Sequence, residues 1–488
     1  MEYVLGIDIG TGSVKAVAVD LAGNSFADCQ LHYSFSSPKP GYHEQDPEQI
    51  WTAFGASIKD IIEKTGAQPL AVSLSSAMHS LIAVDKNGKS LAPLMTWADN
   101  RSAEIAVKLR ATGQGMSIYK ATGTPIHSMS PLCKLIWIRE NNSELFNRTY
   151  KFISIKEYIW HKLFNKFVID YSIASSTGLF DIVQLKWYDD ALQLAGITPA
   201  LLSEPVSTDY NKSSAALDFL KPGVPFVTGA SDGCLANLGS MATKPGIAAM
   251  TIGTSGAVRL ASNRPLPNGE AMTFSYILDK ETYICGGPIN NGGVAMQWWV
   301  KNVAGPNPTE NDYEHIFSQI AKVPAGSNGL TFLPYLTGER APIWDSESCG
   351  NFFGVKLQHT QANFSRAVLE GICFAMKDVL DAVQQNSEPI TQINISGGFT
   401  KSEIWVQTLA DITGKKLAIL QADDASAVGA AFIALKIIGV MREYPETSNG
   451  LVIYQPNPAN RDIYDKNFTI YKQLYTDLKE TMHRVYNS

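Results

Sequence analysis

Tyr3-Val-Leu-Gly-Ile-Asp-Ile-Gly-Thr-Gly-Ser-Val-Lys-Ala-Val-Ala-Val-Asp20 decides the fold class. Its apolar, β-branched start reads as a strand over residues 3–9, and Val14 to Val19 continues as a second strand after Gly10-Thr-Gly-Ser. A Gly23-Asn24 turn then leads to a third strand, Phe26 to Phe35. Asp46-Pro-Glu-Gln49 opens a helix, with Asp46 as N-cap, Pro47 in the first turn and Gln49 at the capping-box position. Ile50, Phe54, Ile58 and Ile61/Ile62 recur at helical spacing, so this helix has one apolar face. A strand over Leu70–Leu74 completes a βββαβ order.

A similar start recurs near residue 247. Ile252-Gly-Thr254 stands where the first segment has Ile9-Gly-Thr11. The pattern predicts a strand at Tyr283–Cys285, a long amphipathic helix over about 363–385, a strand over Gln392–Ser396 and a helix from Ser402 to Thr413 ended by Gly414. Two copies of one unit argue for a duplicated α/β domain, with the boundary between Gly239 and Gly246. The expected domains are residues 1–243 and 244–488.

The 488-residue chain has 40 basic and 46 acidic side chains, a net charge of −6. Hydrophobic residues at 45% against 18% charged exclude a disordered chain, and the acidic balance gives no basic field for nucleic acid or an anionic membrane. The six cysteines (29, 133, 234, 285, 349 and 373) are scattered and form no Cys-x-x-Cys pair, which predicts reduced thiols and no zinc site. Ala427 to Val440 is apolar but short and contains Lys436, too little to cross a bilayer. With no signal-peptide core at the N-terminus, a soluble, cytoplasmic protein is expected.

Three constellations carry chemistry. In Asp8-Ile-Gly-Thr-Gly-Ser-Val-Lys15 the glycines bring backbone N–H groups close to an anion, Thr11 and Ser13 add hydroxyl donors, and Lys15 adds a charge. Asp8 suits a magnesium ion accompanying nucleotide phosphates; taken alone, the segment is equally an ordinary Gly-rich hairpin. Gly253-Thr-Ser-Gly256 supplies a second such loop, and two facing loops would grip one triphosphate. Gly397-Gly398 and Ser402 sit between a strand and a helix, where flat backbone admits an adenine or ribose or simply makes a tight turn. Thr228-Gly-Ala-Ser-Asp232 delivers one carboxylate from a strand end. Asp232 is either a helix N-cap or the general base for a substrate hydroxyl in phosphoryl transfer.

The combination resembles the FGGY family of carbohydrate kinases over the whole chain. Glu44-Gln-Asp-Pro47, Phe332-Leu-Pro-Tyr-Leu-Thr-Gly-Glu-Arg-Ala-Pro342, Ala367-Val-Leu-Glu-Gly-Ile372 and Ser396-Gly-Gly398 are similar to its motifs. Thr96-Trp-Ala-Asp-Asn-Arg-Ser102, Gly123 to Pro131 and Ser231 to Leu238, with Gly233 after the acid, are similar to the gluconokinase branch. Met78-His79 resembles xylulokinases as well. The resemblance implies two actin-like ATPase (ribonuclease H-like) domains with an active-site cleft between them. It implies Asp232 as base and, with Asp8, as magnesium-associated acid; Thr11, Gly12, Ser13, Lys15, Gly253 and Thr254 at phosphates; and Gly293, Gln297, Gly398 and Ser402 at the nucleotide. Met78, His79 and Asp99 would line the sugar pocket with Asp232. The implied partners are MgATP and a sugar or sugar acid, most of all D-gluconate, and a homodimer is implied by the family alone. A pentulose or polyol kinase shares the machinery; an actin-like ATPase without a sugar acceptor would lack the Met78-His79 pocket.

Single residues read more blandly. His79 follows a strand closely and suits a buried, hydrogen-bonded core position. Arg101, Lys134, Lys156 and Arg340 are each expected as solvated surface charges unless one pairs with a substrate carboxylate. Trp298 and Trp299 read as core, and His127 as a substrate contact or a turn cap.

Overall fold

The computed structural model describes residues 1–213, 216–420, 424–445 and 451–486. The chain divides into two compact units. The first comprises Met1–Thr243, Ala261–Cys285 and Ala422–Glu446; the second comprises Lys244–Leu260, Gly286–Gln421 and Thr447–Ser488.

The first unit is built on a six-stranded sheet in the order Asn211–Ser213, Pro225–Ser231, Val72–Ser76, Tyr3–Ile9, Ser13–Asp20, Ser25–His32. The strand 3–9 pairs antiparallel with 13–20, Asp8 opposite Lys15, and parallel with 72–76, Asp8 beside Ser75. The helix Pro47–Thr65 covers one face and buries Ile50, Phe54, Ile58 and Ile61 as its spacing predicts. Asp46 caps it through the Glu48 N–H, but no capping box forms, because the Gln49 side chain instead accepts from the Ser34 hydroxyl. The third strand ends at His32, and Phe35 lies exposed, stacked on the His43 ring. The fourth strand lies at Val72–Ser76, two residues beyond expectation. Its serines 73, 75 and 76 are all buried, so hydrophobicity alone ends the strand too early.

The second unit repeats this plan. Six consecutive strands of its sheet run Tyr283–Ile289, Gly256–Ser262, Ile247–Ile252, Gln392–Ser396, Lys416–Ile419, Val452–Tyr454. Ile247–Ile252 pairs antiparallel with its hairpin partner and parallel with Gln392–Ser396, which pairs parallel with Lys416–Ile419. Strand order and these pairings match the first unit position for position. Asp8 on Ser75 in one copy corresponds to Thr251 on Ser396 in the other, with hydroxyl oxygens 3.2 Å apart. The acid exists in one copy only.

On its other face, the first sheet is closed by the helix Ala425–Ile437, which shares a buried cluster with Val4, Val17, Val227 and Leu235. The six cysteines are free. Among the described residues no helix is long and apolar enough to cross a membrane.

Candidate active site

Three adjacent parallel strands of the first sheet end side by side. Asp8 is the penultimate residue of 3–9, Met78 and His79 follow 72–76, and Asp232 follows 225–231. Ligands of such sheets bind outside the carboxyl ends of parallel strands. At about 4.8 Å per strand step, Asp8 and Asp232 lie roughly 10 Å apart at their strand ends.

The Gly10–Ser13 turn is held by its carbonyls. The Tyr33 hydroxyl donates to Gly10 O, the Gln45 amide to Thr11 O at 2.5 Å and the Tyr33 N–H to Gly12 O at 3.2 Å. With the oxygens engaged, the Thr11 and Gly12 N–H groups have no acceptor among the described residues, and a Cβ at Gly12 would meet nothing within 4 Å. The second copy repeats the device: Gly293 N–H and Val294 N–H, at a helix start, donate to Gly253 O and Thr254 O at 2.6 and 3.1 Å. Oriented N–H groups of this kind make an anion cradle.

Lys15 is ion-paired with Asp424, a residue the sequence reading passed over. Asp424 opens the helix after Lys416–Ile419, as Asp232 opens the helix after Pro225–Ser231, so the duplication itself was the available signal. Asp8 accepts from the Ser75 hydroxyl at 2.5 Å. Burial pushes its carboxyl up from the usual range, against that hydrogen bond.

Asp232 is the first residue of the helix Asp232–Gly239. The N-cap is Ser231, which corrects the capping alternative for Asp232. Its Oδ1 accepts from Gly233 N–H at 2.7 Å, and the helix N-terminus favours its negative charge. A β-bulge between Val227 and Ala230 sets the direction of the strand end. Gly229 has φ +62°, and a Cβ there would lie 2.0 Å from Leu74 O. Lys156 braces the bulge from both sides, donating to Thr228 O and Ala230 O at 3.0 and 2.8 Å while paired with Asp170 at 2.8 Å.

His79 is buried, as the bland reading expects, but in the left-handed region with φ +66°. Its Nδ1 lies 2.8 Å from Ser176 O. A carbonyl only accepts, so Nδ1 carries the proton and Nε2 faces the Tyr276 hydroxyl at 3.5 Å. Asp99 is fully buried and accepts from His43 N–H and from the Arg101 guanidinium, which also pairs with Glu44 and lies over the Tyr42 ring. The expectation of solvated cations is thus overturned: Lys134, Lys156 and Arg340 are buried and Arg101 is partly buried, each on protein acceptors. His127 caps a turn through Met129 N–H. Trp299 stacks on Phe364, whereas Trp298 is partly exposed.

Beneath the 79–80 loop a cavity of about 20 Å³, with room for one water, is lined by His79, Ser80, Ser176, Ser203 and Glu157. Burial raises the Glu157 carboxyl to about 7. A raised acid stabilises below its unfolded value and loses that contribution as pH climbs through about 7. Thermal unfolding of the wild type should therefore shift to lower temperature between about pH 4.5 and 7 and change little above that, and Glu157→Gln should flatten that dependence. An equal slope in the variant would refute it.

In the second unit Gly253, Thr254, Gly293, Gln297, Gly398 and Ser402 all line one cavity of about 860 Å³. A Cβ at Gly293 would sit 2.6 Å from Gly253 O, whereas Gly398 faces open space. Ser402 precedes the helix Glu403–Thr413 without capping it, and its hydroxyl is buried with no protein hydrogen-bond partner. The helix Glu310–Ile320, unread from sequence, contributes Tyr313 and Phe317 to the same wall. Flat backbone, two aromatic rings and an unsatisfied hydroxyl suit a nucleoside.

The N-terminal domain model of the FGGY family of carbohydrate kinases matches residues 3–239, and the C-terminal model matches residues 248–437. The chain belongs to the FGGY family of carbohydrate kinases. This FGGY kinase is 39% identical to the gluconokinase of Bacillus subtilis over 92% of its own length and 90% of that protein's. It is 30% identical to a xylulose kinase of Staphylococcus epidermidis over 98% and 97% of the two chains. Among solved structures it resembles a gluconate kinase from Lactobacillus acidophilus, at TM-score 0.93 and 32% identity over 98% of both chains. A ligand-bound xylulose kinase from the same organism matches at TM-score 0.95 and 32% identity, over 99% of this chain and 100% of that one. The two-domain actin-like ATPase fold and the phosphotransferase class expected from sequence thus hold for this FGGY kinase, whose family uses ATP.

Proposed function

We propose that this kinase transfers the γ-phosphoryl group of ATP to the 6-hydroxyl of D-gluconate. The observation that carries the choice of acceptor is the 39% identity to a gluconokinase over nearly the whole chain. In this reading the unit built on residues 1–243 carries the acceptor side and the unit built from the remainder the nucleotide side, except that residues 261–285 and 422–446 of the expected second domain belong to the first unit. The two family-model matches support the division. Met78, His79 and Asp232 bind the acceptor, and Asp99 shapes that pocket through Arg101. Arg101, Lys134 and Lys156 already hold protein partners, so none of them is assigned to the gluconate carboxylate.

The O6–Pγ bond forms as the bond from Pγ to the β-phosphate oxygen breaks, and ADP leaves. Asp232 orients the hydroxyl and takes its proton late, because phosphoryl transfer is chiefly positioning and charge stabilisation. The N–H groups and hydroxyls of Thr11, Gly12, Ser13 and Thr254 hold phosphate oxygens, with Gly253, whose own N–H is given to Ser255 O, letting them approach. Lys15 joins them by exchanging Asp424 for phosphate; Gly293, Gln297, Gly398 and Ser402 hold the nucleoside. Among the described residues no three acidic, His or Cys side chains form a metal cage. That fits Mg²⁺, which keeps waters and substrate phosphates as ligands; Asp8 and Asp232 would hold it, and it would offset phosphate charge.

A xylulose kinase reading is favoured by the slightly higher TM-score, 0.95 against 0.93. Acceptor-dependent ADP release across gluconate, xylulose, ribulose and glycerol separates the two. Gluconate is expected to give the largest kcat/KM, and ADP release without a sugar should be negligible. Preference for xylulose would replace the acceptor assignment. Sedimentation of the purified chain tests the homodimer implied by the family resemblance, and cell fractionation tests the cytoplasmic location expected of it.

A further inference from the structure

Lys134 lies on the helix Pro131–Asn141, and its side chain is fully buried. Its ammonium donates to His79 O at 2.6 Å and to Thr96 O at 2.7 Å. Among the described residues no carboxylate lies within ion-pair distance, since Asp99 is engaged by Arg101 and His43. Burial lowers its pKa to about 7. A buried ammonium without a carboxylate partner is costly and persists where its hydrogen bonds are needed. What the charge accomplishes here is visible in its two acceptors.

The first acceptor belongs to His79, a non-glycine residue at φ +66°. Such a conformation is strained and persists only where the surroundings impose it. The second belongs to Thr96, whose neighbour Trp97 donates its indole N–H to Thr11 Oγ1 at 2.8 Å. Thr96 itself is tied to His43 through backbone and side chain. One ammonium thus joins the loop after strand 72–76 to the segment that touches the Gly10–Ser13 turn.

We propose that Lys134 is a positioning residue for the acceptor: by holding the His79 and Thr96 carbonyls, its ammonium keeps the Met78-His79 pair in register with Trp97 and the Thr11 turn. The proposal rests on the reading of Met78 and His79 as acceptor contacts. It predicts that Lys134→Met, which keeps length and apolar bulk, raises the acceptor KM at least tenfold while the ATP KM stays within twofold. The melting temperature will fall as well, because the buried His79 O loses its donor, but a general loss of stability would not split the two KM values. Lys134→Gln, which keeps two N–H donors, should recover part of the acceptor affinity, and it is read for the same split if the Met variant fails to fold. A wild-type acceptor KM in a folded variant, or equal rises in both KM values, overturns the proposal. His79→Asn, whose side chain tolerates the left-handed backbone, separates the two readings. If it leaves the acceptor KM unchanged, the acceptor-site reading fails. If it raises that KM while Lys134→Met is silent, only the positioning role fails.

Discussion

Asp232→Asn is expected to lower kcat by at least about a hundredfold while leaving the KM for ATP within about twofold. A positioned base contributes about 10² to 10⁴ in rate, and loss of an interaction realised only in the transition state appears in kcat. Asn keeps the shape and can still accept from Gly233 N–H, so the fold and the Ser231 cap should survive. Single-turnover measurement with saturating ATP and gluconate isolates the chemical step. A variant turning over at close to the wild-type rate would remove Asp232 from the role of base and leave only its place at the helix start.

The second large effect is on stability. The helix Ala425–Ile437 sits at backbone contact with its neighbours. An ideal Cβ at Gly6 would lie 1.8 Å from Ala427 O, one at Gly239 2.0 Å from Ala425 O, and one at Gly429 2.1 Å from Leu235 O. None of the three has a positive φ, so space alone demands glycine. Relief requires moving backbone, and forced overpacking costs about 1–3 kcal/mol or more per site. Gly6→Ala should therefore lose about 3 kcal/mol or more, a large share of the roughly 5–15 kcal/mol that holds such a domain folded. Gly12→Ala, facing open space, should stay within about 0.5 kcal/mol of wild type. Urea unfolding midpoints compare the two. Equal midpoints would mean that the helix is not seated on Gly6.

Local pattern carried much of this structure into view. Alternating apolar runs, the Asp46-Pro47 start and the Ile-Gly-Thr repeat gave the strands, the first helix and the duplication, because each depends on residues a few positions apart. The nucleotide residues read from three separate motifs line one cavity. What the reading missed is long-range. Lys134 and Lys156 are buried because carbonyls 38 to 74 residues away receive them, and no property of the lysines themselves announces that. The glycine at position 229, within the bulge, is demanded by Leu74 O on a neighbouring strand. Tyr313 and Phe317 matter only because their helix packs beside Gly398 and Ser402 in space. Apolar pattern alone sets strand 72–76 two residues too early because its end is serine-rich, and one of those serines serves Asp8.

The helix Ala425–Ile437 also governs how the polypeptide is made. It comes from the last sixth of the sequence, yet it shields one face of a sheet whose strands begin at Tyr3. While the ribosome is still translating, the nascent first half displays Val4, Val17, Val227 and Leu235 with no cover. Truncation at residue 243 would make that display permanent, so a product ending there should depend on chaperones and precipitate without them.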